Sequence, residues 1–404
     1  MTDTISLPFL RPDMKSELDL RVKNIQTLMG ERGLEGLLIG STVNVFYLSG
    51  TIFKGNIYIP LDGSPLYLLI SPSVSSQEGC IKIRKPEQIS SVLEEKGIRM
   101  PEAVGLEYSD MTYSDITRLK ACFPEAKYGD ASSLLREVRS VKTAYEISRI
   151  REDGKKHSAV YSMIDKCYRE DMTDLEFQIE IERLLRREGC LGILRASGNR
   201  MELNLGSLLN GDNADNPSPY DFSMGGHGFD PSLPVGADGL TMKHGTTVMV
   251  DMNGGFNGYQ TDMTRCWMIG DVPEIAKKAH ECSRMILRVL EKTGVAGAEV
   301  SLLYTTALDI AKKEGLQEYF MGHSHKVGFI GHGIGIELNE MPVIMERNHS
   351  VLKENMVIAL EPKFVIPHIG AVGVENTYRV TAEGLENLTT FREDLTSLGL
   401  GVRE

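Results

Sequence analysis

Apolar and polar positions follow two rhythms along this chain, one of about four residues and one of two, and the changes of rhythm mark out its elements. In MKSELDLRVKNIQTLMGERG, Leu18, Val22, Ile25 and Met29 recur at helical spacing and Gly33 ends the run, which predicts an amphipathic helix. The runs LEGLLIG, GNIYIP, SPLYLLI and AVGLEY that follow predict strands. Short helical and strand-like units in alternation predict a small α/β domain over residues 1–138, and a second domain over 139–404. Long helices open the second domain. Thr143 with Glu146 and Thr173 with Glu176 form capping-box pairs that start two of them, and Pro273 begins a third in PEIAKKAHECSRMILRVLEKTG.

Residues 200–240 then change character. Gly, Pro, Asn and Asp crowd the stretch NLGSLLNGDNADNPSPYDFSMGGHGFDPSLPVGADG, which excludes a regular helix and predicts a functional loop. Beyond it, TTVMVDMNGGFNGYQTDMTRCWMIG reads as two strands around a Gly-rich turn, and MVIALEPKFVIPHIGAVGVENTYRVT as a second such pair. The two hairpins each carry two acids, but no sequence repeat links them.

Composition narrows the function. At 404 residues, two domains are the natural expectation, and 41% hydrophobic with 25% charged residues is ordinary for a globular protein. A formal net charge of -12 argues against a nucleic-acid partner, whose backbone calls for clustered Lys and Arg. No apolar run reaches the roughly 20 residues of a membrane helix, and MTDTISLPFLRPDMK lacks the basic-then-apolar order of an export signal. Cys80, Cys122, Cys167, Cys190, Cys266 and Cys282 form no CxxC pair, as expected of free thiols in the cytoplasm.

Candidate chemistry gathers in the last 155 positions, at Asp251, Asp262, His332, Glu361 and Glu375. Asp251 and Asp262 lie eleven residues apart with Gly254, Gly255 and Gly258 between, so a hairpin can fold their carboxylates together. Glu361 and Glu375 are fourteen apart across Gly370 and Gly373. Carboxylates brought side by side repel, and a divalent cation removes that cost. Four carboxylates and one imidazole suit manganese, cobalt, iron or zinc.

In this order and spacing, VDMNGGFNGYQTDMTR, GHGIGIELNEMP, ALEP and VGVENT resemble the metallopeptidases of the pita-bread fold: methionine aminopeptidase, aminopeptidase P and prolidase. NVFYLSG and the helical linker at VRSVKTAYEI resemble the creatinase-type N-terminal domain of the prolidase and aminopeptidase P branch. The resemblance implies an α/β (α+β) chain with a creatinase-type domain followed by a pita-bread domain, acting as a homodimer on short peptides at Xaa-Pro bonds. It implies two divalent ions, with manganese the first choice. Asp251 would bind one, His332 and Glu361 the other, and Asp262 and Glu375 would bridge them around a nucleophilic hydroxide. Glu361 would carry the proton to the leaving amine, and Arg265 would ion-pair with a ligand carboxylate.

The chain departs from the proline-specific pattern around this shell. Histidines four positions before and seven after the ligand histidine are replaced by Gly328 and Asn339, no histidine lies between Asp230 and Lys243, and Val374 stands where an arginine is common. Asn339 keeps a hydrogen-bond donor without a titrating proton. His325 and His227 are available to compensate. Those replacements keep open a non-peptide small-molecule substrate, with a lyase or hydrolase reaction at the same metals. A silent binding module and metal-free creatinase-like chemistry are disfavoured by the retained ligand set.

Overall fold

The computed structural model describes residues 14–71, 80–198, 203–220 and 222–399, so the expectation for residues 1–13 lies outside the described residues. The chain divides into two compact units, Met1–Arg139 and Ser140–Glu404.

In the first unit, α1 (Lys15–Glu31) buries Leu18, Val22, Ile25 and Met29, the stripe that the sequence spacing marks out. A six-stranded sheet runs β4-β3-β2-β1-β5-β6, with β1 Gly36–Ile39, β2 Lys54–Pro60, β3 Leu66–Ser71, β4 Cys80–Lys82, β5 Ala103–Leu106 and β6 Lys127–Asp130. β2 runs antiparallel to both of its neighbours, β1 and β3, whereas β4 joins β3, β5 joins β1 and β6 joins β5 in parallel. Helices α2 (Thr42–Ser49), α3 (Ile89–Glu95), α4 (Tyr113–Lys120) and α5 (Ser132–Ser140) connect them. The NVFYLSG stretch is thus helical, capped by the Ser41 hydroxyl and closed by Gly50 at φ 69°.

The second unit opens with α6 (Ala144–Tyr161) and α7 (Asp174–Arg187), and both predicted capping boxes form, Thr143 with Glu146 and Thr173 with Glu176. Helices α8 (Glu274–Thr293) and α9 (Val300–Lys313) follow later, α8 starting directly after Pro273. Against these pack a four-stranded sheet, β17-β9-β8-β7, and a five-stranded antiparallel sheet, β11-β10-β12-β15-β16. Their strands are β7 Gly206–Asn210, β8 Thr246–Gly254, β9 Thr261–Ile269, β10 Phe329–Gly333, β11 Glu340–Met345, β12 Val357–Leu360, β15 Asn376–Val380, β16 Leu385–Asn387 and β17 Thr396–Ser397. A separate hairpin joins β13 (Lys363–Ile366) to β14 (Gly370–Gly373).

Two expectations are corrected. The 200–240 stretch is no continuous loop, because β7 pairs antiparallel with β8 over five positions; its apolar Leu208 and Leu209 are buried although turn-forming residues surround them. The second acidic ribbon is also interrupted. Pro362 lacks the N–H that a continuing ladder needs, so β12 and β15 lie in one sheet while β13 and β14 form another. Register survives the break: Leu360 faces Asn376 and Lys363 faces Gly373. Glu361 and Glu375 therefore stand opposite each other where the ribbon changes sheets.

Among the described residues no helix is long and apolar enough to cross a membrane.

Candidate metal centre

The four acids and one imidazole singled out by the sequence come from β8, β9 and β10 and from the two breaks between β12 and β13 and between β14 and β15, all in the second unit. In the β8–β9 pair Asp251 faces Thr264 and Asn253 faces Asp262, so Asp251 and Asp262 share one face as diagonal neighbours. The interruption of the second ribbon turns Glu361 and Glu375 toward the same place. His332 arrives on β10, paired to Ala359 of β12.

The ligating atoms of Asp262, His332 and Glu375 lie within 4.8 Å of one another, and so do those of Asp251, Glu361 and Glu375. His332 Nε2 is 3.8 Å from Asp262 Oδ2 and 3.9 Å from Glu361 Oε1. Its Nδ1 is 3.0 Å from the Gly333 carbonyl, so Nδ1 donates there and Nε2 faces the acids.

Backbone and side-chain bonds hold these groups still. Thr377 Oγ1 accepts from the Asp262 N–H and donates to the Asp262 carbonyl. Thr264 Oγ1 donates to Glu375 Oε2 over 2.7 Å. Burial, then the neighbouring Asp251 charge, pushes the Asp262 carboxyl well above the carboxylate range. Burial, then Asp262 and Glu361, does the same to Glu375. Glu375 Oε1 is buried and has no hydrogen-bond partner, which leaves an acceptor that a cation would satisfy. Crowded, desolvated acids with an orphan oxygen and an oriented imidazole fit a divalent ion on the Asp262, His332, Glu375 side.

Lys363 enters this cluster without any expectation from the sequence analysis. Its Nζ donates to Asp251 Oδ2 (2.8 Å), Glu361 Oε2 (2.7 Å), Glu375 Oε2 (3.1 Å) and Ser223 Oγ (3.1 Å). Burial alone would lower its pKa, but the three carboxylates outweigh burial and hold it well above the usual lysine value. A signal was present: on a strand, Glu361 and Lys363 project to one face.

The other candidates fall differently. Arg265 is buried and forms no bond to a ligand carboxylate. Its guanidinium donates to the carbonyls of Thr264, Glu375, Thr389, Phe391 and Arg392 and to Asn376 Oδ1, so it positions the Glu375 backbone in place of the expected ion pair. Asn339 lines the cleft beside the ligands, yet its amide is tied to one peptide segment: it accepts from Ser197 N–H at 2.6 Å and donates to Ser197 O at 2.9 Å. Neither histidine lines that cleft. His227 is exposed, with Nδ1 on the Gly228 carbonyl, and exposed His325 lines a neighbouring cavity with Asp215 and Tyr220. A β-carbon at Gly328 would meet open space, and Val374 is buried with its N–H on Ser283 Oγ.

The open space beside the ligands is about 60 Å³, walled by Leu194, Leu203, Phe222, Met224, Phe329 and Leu338. A far roomier cavity of about 830 Å³ near Tyr168 and His244 gathers none of the five ligands.

Comparison with known proteins agrees with this arrangement. The family model of metallopeptidase family M24 matches residues 148–382, and that of the creatinase/prolidase N-terminal domain matches residues 21–141. An Xaa-Pro dipeptidase of Pyrococcus furiosus is 26% identical over 390 residues, covering 95% of this chain and 100% of its own. Among solved structures, the Xaa-Pro dipeptidase from Bacillus anthracis superposes with a TM-score of 0.76 at 23% identity, covering 94% of this chain and 100% of that one. The X-Pro aminopeptidase from Thermotoga maritima gives 0.75 at 22% identity, with 93% and 99% covered. The expected creatinase-type and pita-bread architecture is thereby confirmed. Taken with the ligand geometry, these matches show that the chain belongs to metallopeptidase family M24, in the branch with a creatinase/prolidase N-terminal domain.

Proposed function

We propose that this protein is a metal-dependent peptidase that hydrolyses Xaa-Pro bonds in short peptides. One observation carries the reading: Asp262, His332, Glu361 and Glu375 converge on a desolvated point where Glu375 Oε1 lacks a partner. A divalent ion bound there supplies an acidified water and polarises the scissile carbonyl. The Xaa-Pro preference is supported by the relatives, among them the Xaa-Pro dipeptidase of Pyrococcus furiosus. Apolar walls at Phe222, Phe329 and Leu338 suit a pyrrolidine ring.

The chain's own groups share the work. Glu361 has one oxygen held by Lys363 and the other facing His332, and we assign it to take the proton of the attacking water and deliver it to the prolyl nitrogen. The Gly333 carbonyl holds His332 by Nδ1 and keeps Nε2 directed inward. Thr264 and Arg265 fix the side chain and backbone of Glu375, and the apolar wall excludes bulk water. Manganese is the ion the oxygen-rich set favours. The same reading includes a homodimer in a cytoplasmic setting, in keeping with six unpaired cysteines.

The test incubates Mn²⁺-loaded protein with Xaa-Pro dipeptides, Xaa-Pro-Yaa tripeptides and Xaa-Ala controls. Release of free amino acid from a proline-containing set and not from the controls is expected, and Asp262→Ala or Glu375→Ala should lower it at least about a hundredfold. No release from either proline set would overturn the proposal.

A further inference from the structure

The ammonium of Lys363 occupies one of the two places where the acids could hold an ion. Two ligand groups share Glu375: Asp262, His332 and Glu375 on one side, and Asp251, Glu361 and Glu375 on the other. Lys363 Nζ bonds every carboxylate of the second group, at 2.8, 2.7 and 3.1 Å, and none of its bonds reaches Asp262 or His332.

The lysine is built into this position. Its side chain is wholly buried. Its backbone lies in the β13–β14 hairpin opposite Gly373, where a β-carbon would stand 2.9 Å from the Pro362 carbonyl oxygen and 3.0 Å from both Cα and Cγ of Lys363, so the glycine admits this strand and the start of the lysine stem together. Ser223 Oγ accepts a further bond from Nζ.

Place, more than charge, limits how many ions fit. Asp251, Asp262, Glu361 and Glu375 carry four negative charges when ionised and the ammonium returns one, so the buried cluster is one charge short of neutral with a single divalent ion and one charge beyond it with two. A second ion would have to share Asp251 Oδ2, Glu361 Oε2 and Glu375 Oε2 with the ammonium that already bonds all three, at the cost of two cations in contact.

We infer that Lys363 is an internal cation standing in for one of the two metal ions, so that this chain binds one divalent ion, held by Asp262, His332, Glu361 and Glu375. Asp251 is then oriented by the lysine, as a salt-bridged acid at the rim of the site. This rests on the metallopeptidase reading but concerns only the number and placement of ions.

The experiment counts metal in purified full-length protein equilibrated with excess Mn²⁺ and then freed of unbound ion, for the wild type, Lys363→Ala and Lys363→Met. Circular dichroism checks folding. One ion per chain in the wild type and two in Lys363→Ala support the inference. Two in the wild type overturn it and leave the metallopeptidase reading standing. One in both the wild type and a folded Lys363→Ala also overturns it, since the lysine then excludes nothing. No metal in any protein overturns both readings. If neither variant folds, manganese anomalous scattering from wild-type crystals decides: a single peak beside His332 with Lys363 Nζ against Asp251 supports the inference, and a second peak beside Asp251 overturns it.

Discussion

Single residues in this protein owe their roles to what burial forces on them. Arg265 could be taken from the sequence for an ion-pairing group, yet the fold uses its planar fork as a collector of carbonyls from three segments: β9, the start of β15 and the chain after Thr389. Lysine presents a point charge and cannot span those acceptors. Arg265→Lys should therefore destabilise the fold by roughly 2–4 kcal/mol, because buried carbonyls lose their donors, and should weaken metal binding at Glu375. Chemical denaturation together with a Mn²⁺ titration checks this; an unchanged unfolding midpoint and unchanged affinity would count against a positioning role. Lys363 shows the limit of reading residues singly. A lysine on a strand is ordinarily solvated, and only the convergence of Asp251, Glu361 and Glu375 reveals it as a buried counter-charge. Asn339 teaches the converse, since its amide is already occupied by Ser197.

Elements position the site through register. The Asp251 and Asp262 hairpin was legible because alternation and a Gly-rich turn jointly fix which side chains share a face. The second ribbon was only half legible: its register follows from the spacing and Pro362 marks where the ladder breaks, but that β13 and β14 then form a sheet of their own depends on tertiary packing. β7 was hidden because its two buried leucines sit among glycines and asparagines. Helices α6 and α8 brace these strands, and each buries a histidine. His157 contacts Thr261 Oγ1 at 3.0 Å and burial pushes its pKa down to about 3; His280 bonds the Glu393 carbonyl and burial pushes it down to about 4. Both are neutral in the folded protein and protonate in the unfolded chain near 6.5. Their stabilising effect is complete above pH about 6.5 and is lost as pH falls toward the folded values, at up to about 1.4 kcal/mol per pH unit for each. Urea unfolding between pH 7 and 4.5 should show this decline, and His280→Gln should make it shallower. A slope unaltered by that substitution would contradict the assignment.

At the scale of the whole molecule, composition and motif order already pointed to two α/β units with a metal-binding second half, and the family matches span both units. What the sequence could not convey was the space around the ligands, because that depends on residues far apart in the chain. Leu194, Phe222, Phe329 and Leu338 wall the space of about 60 Å³ there. The account stands or falls on metal-driven cleavage of a proline bond. The most direct measurement follows free proline released from an Xaa-Pro dipeptide by protein first stripped with a chelator and then titrated with Mn²⁺. Proline release should be absent in the stripped protein, should rise with added metal to a plateau, and should stay at background throughout in Asp262→Ala. Release that survives chelation, or none at saturating metal, would contradict the account.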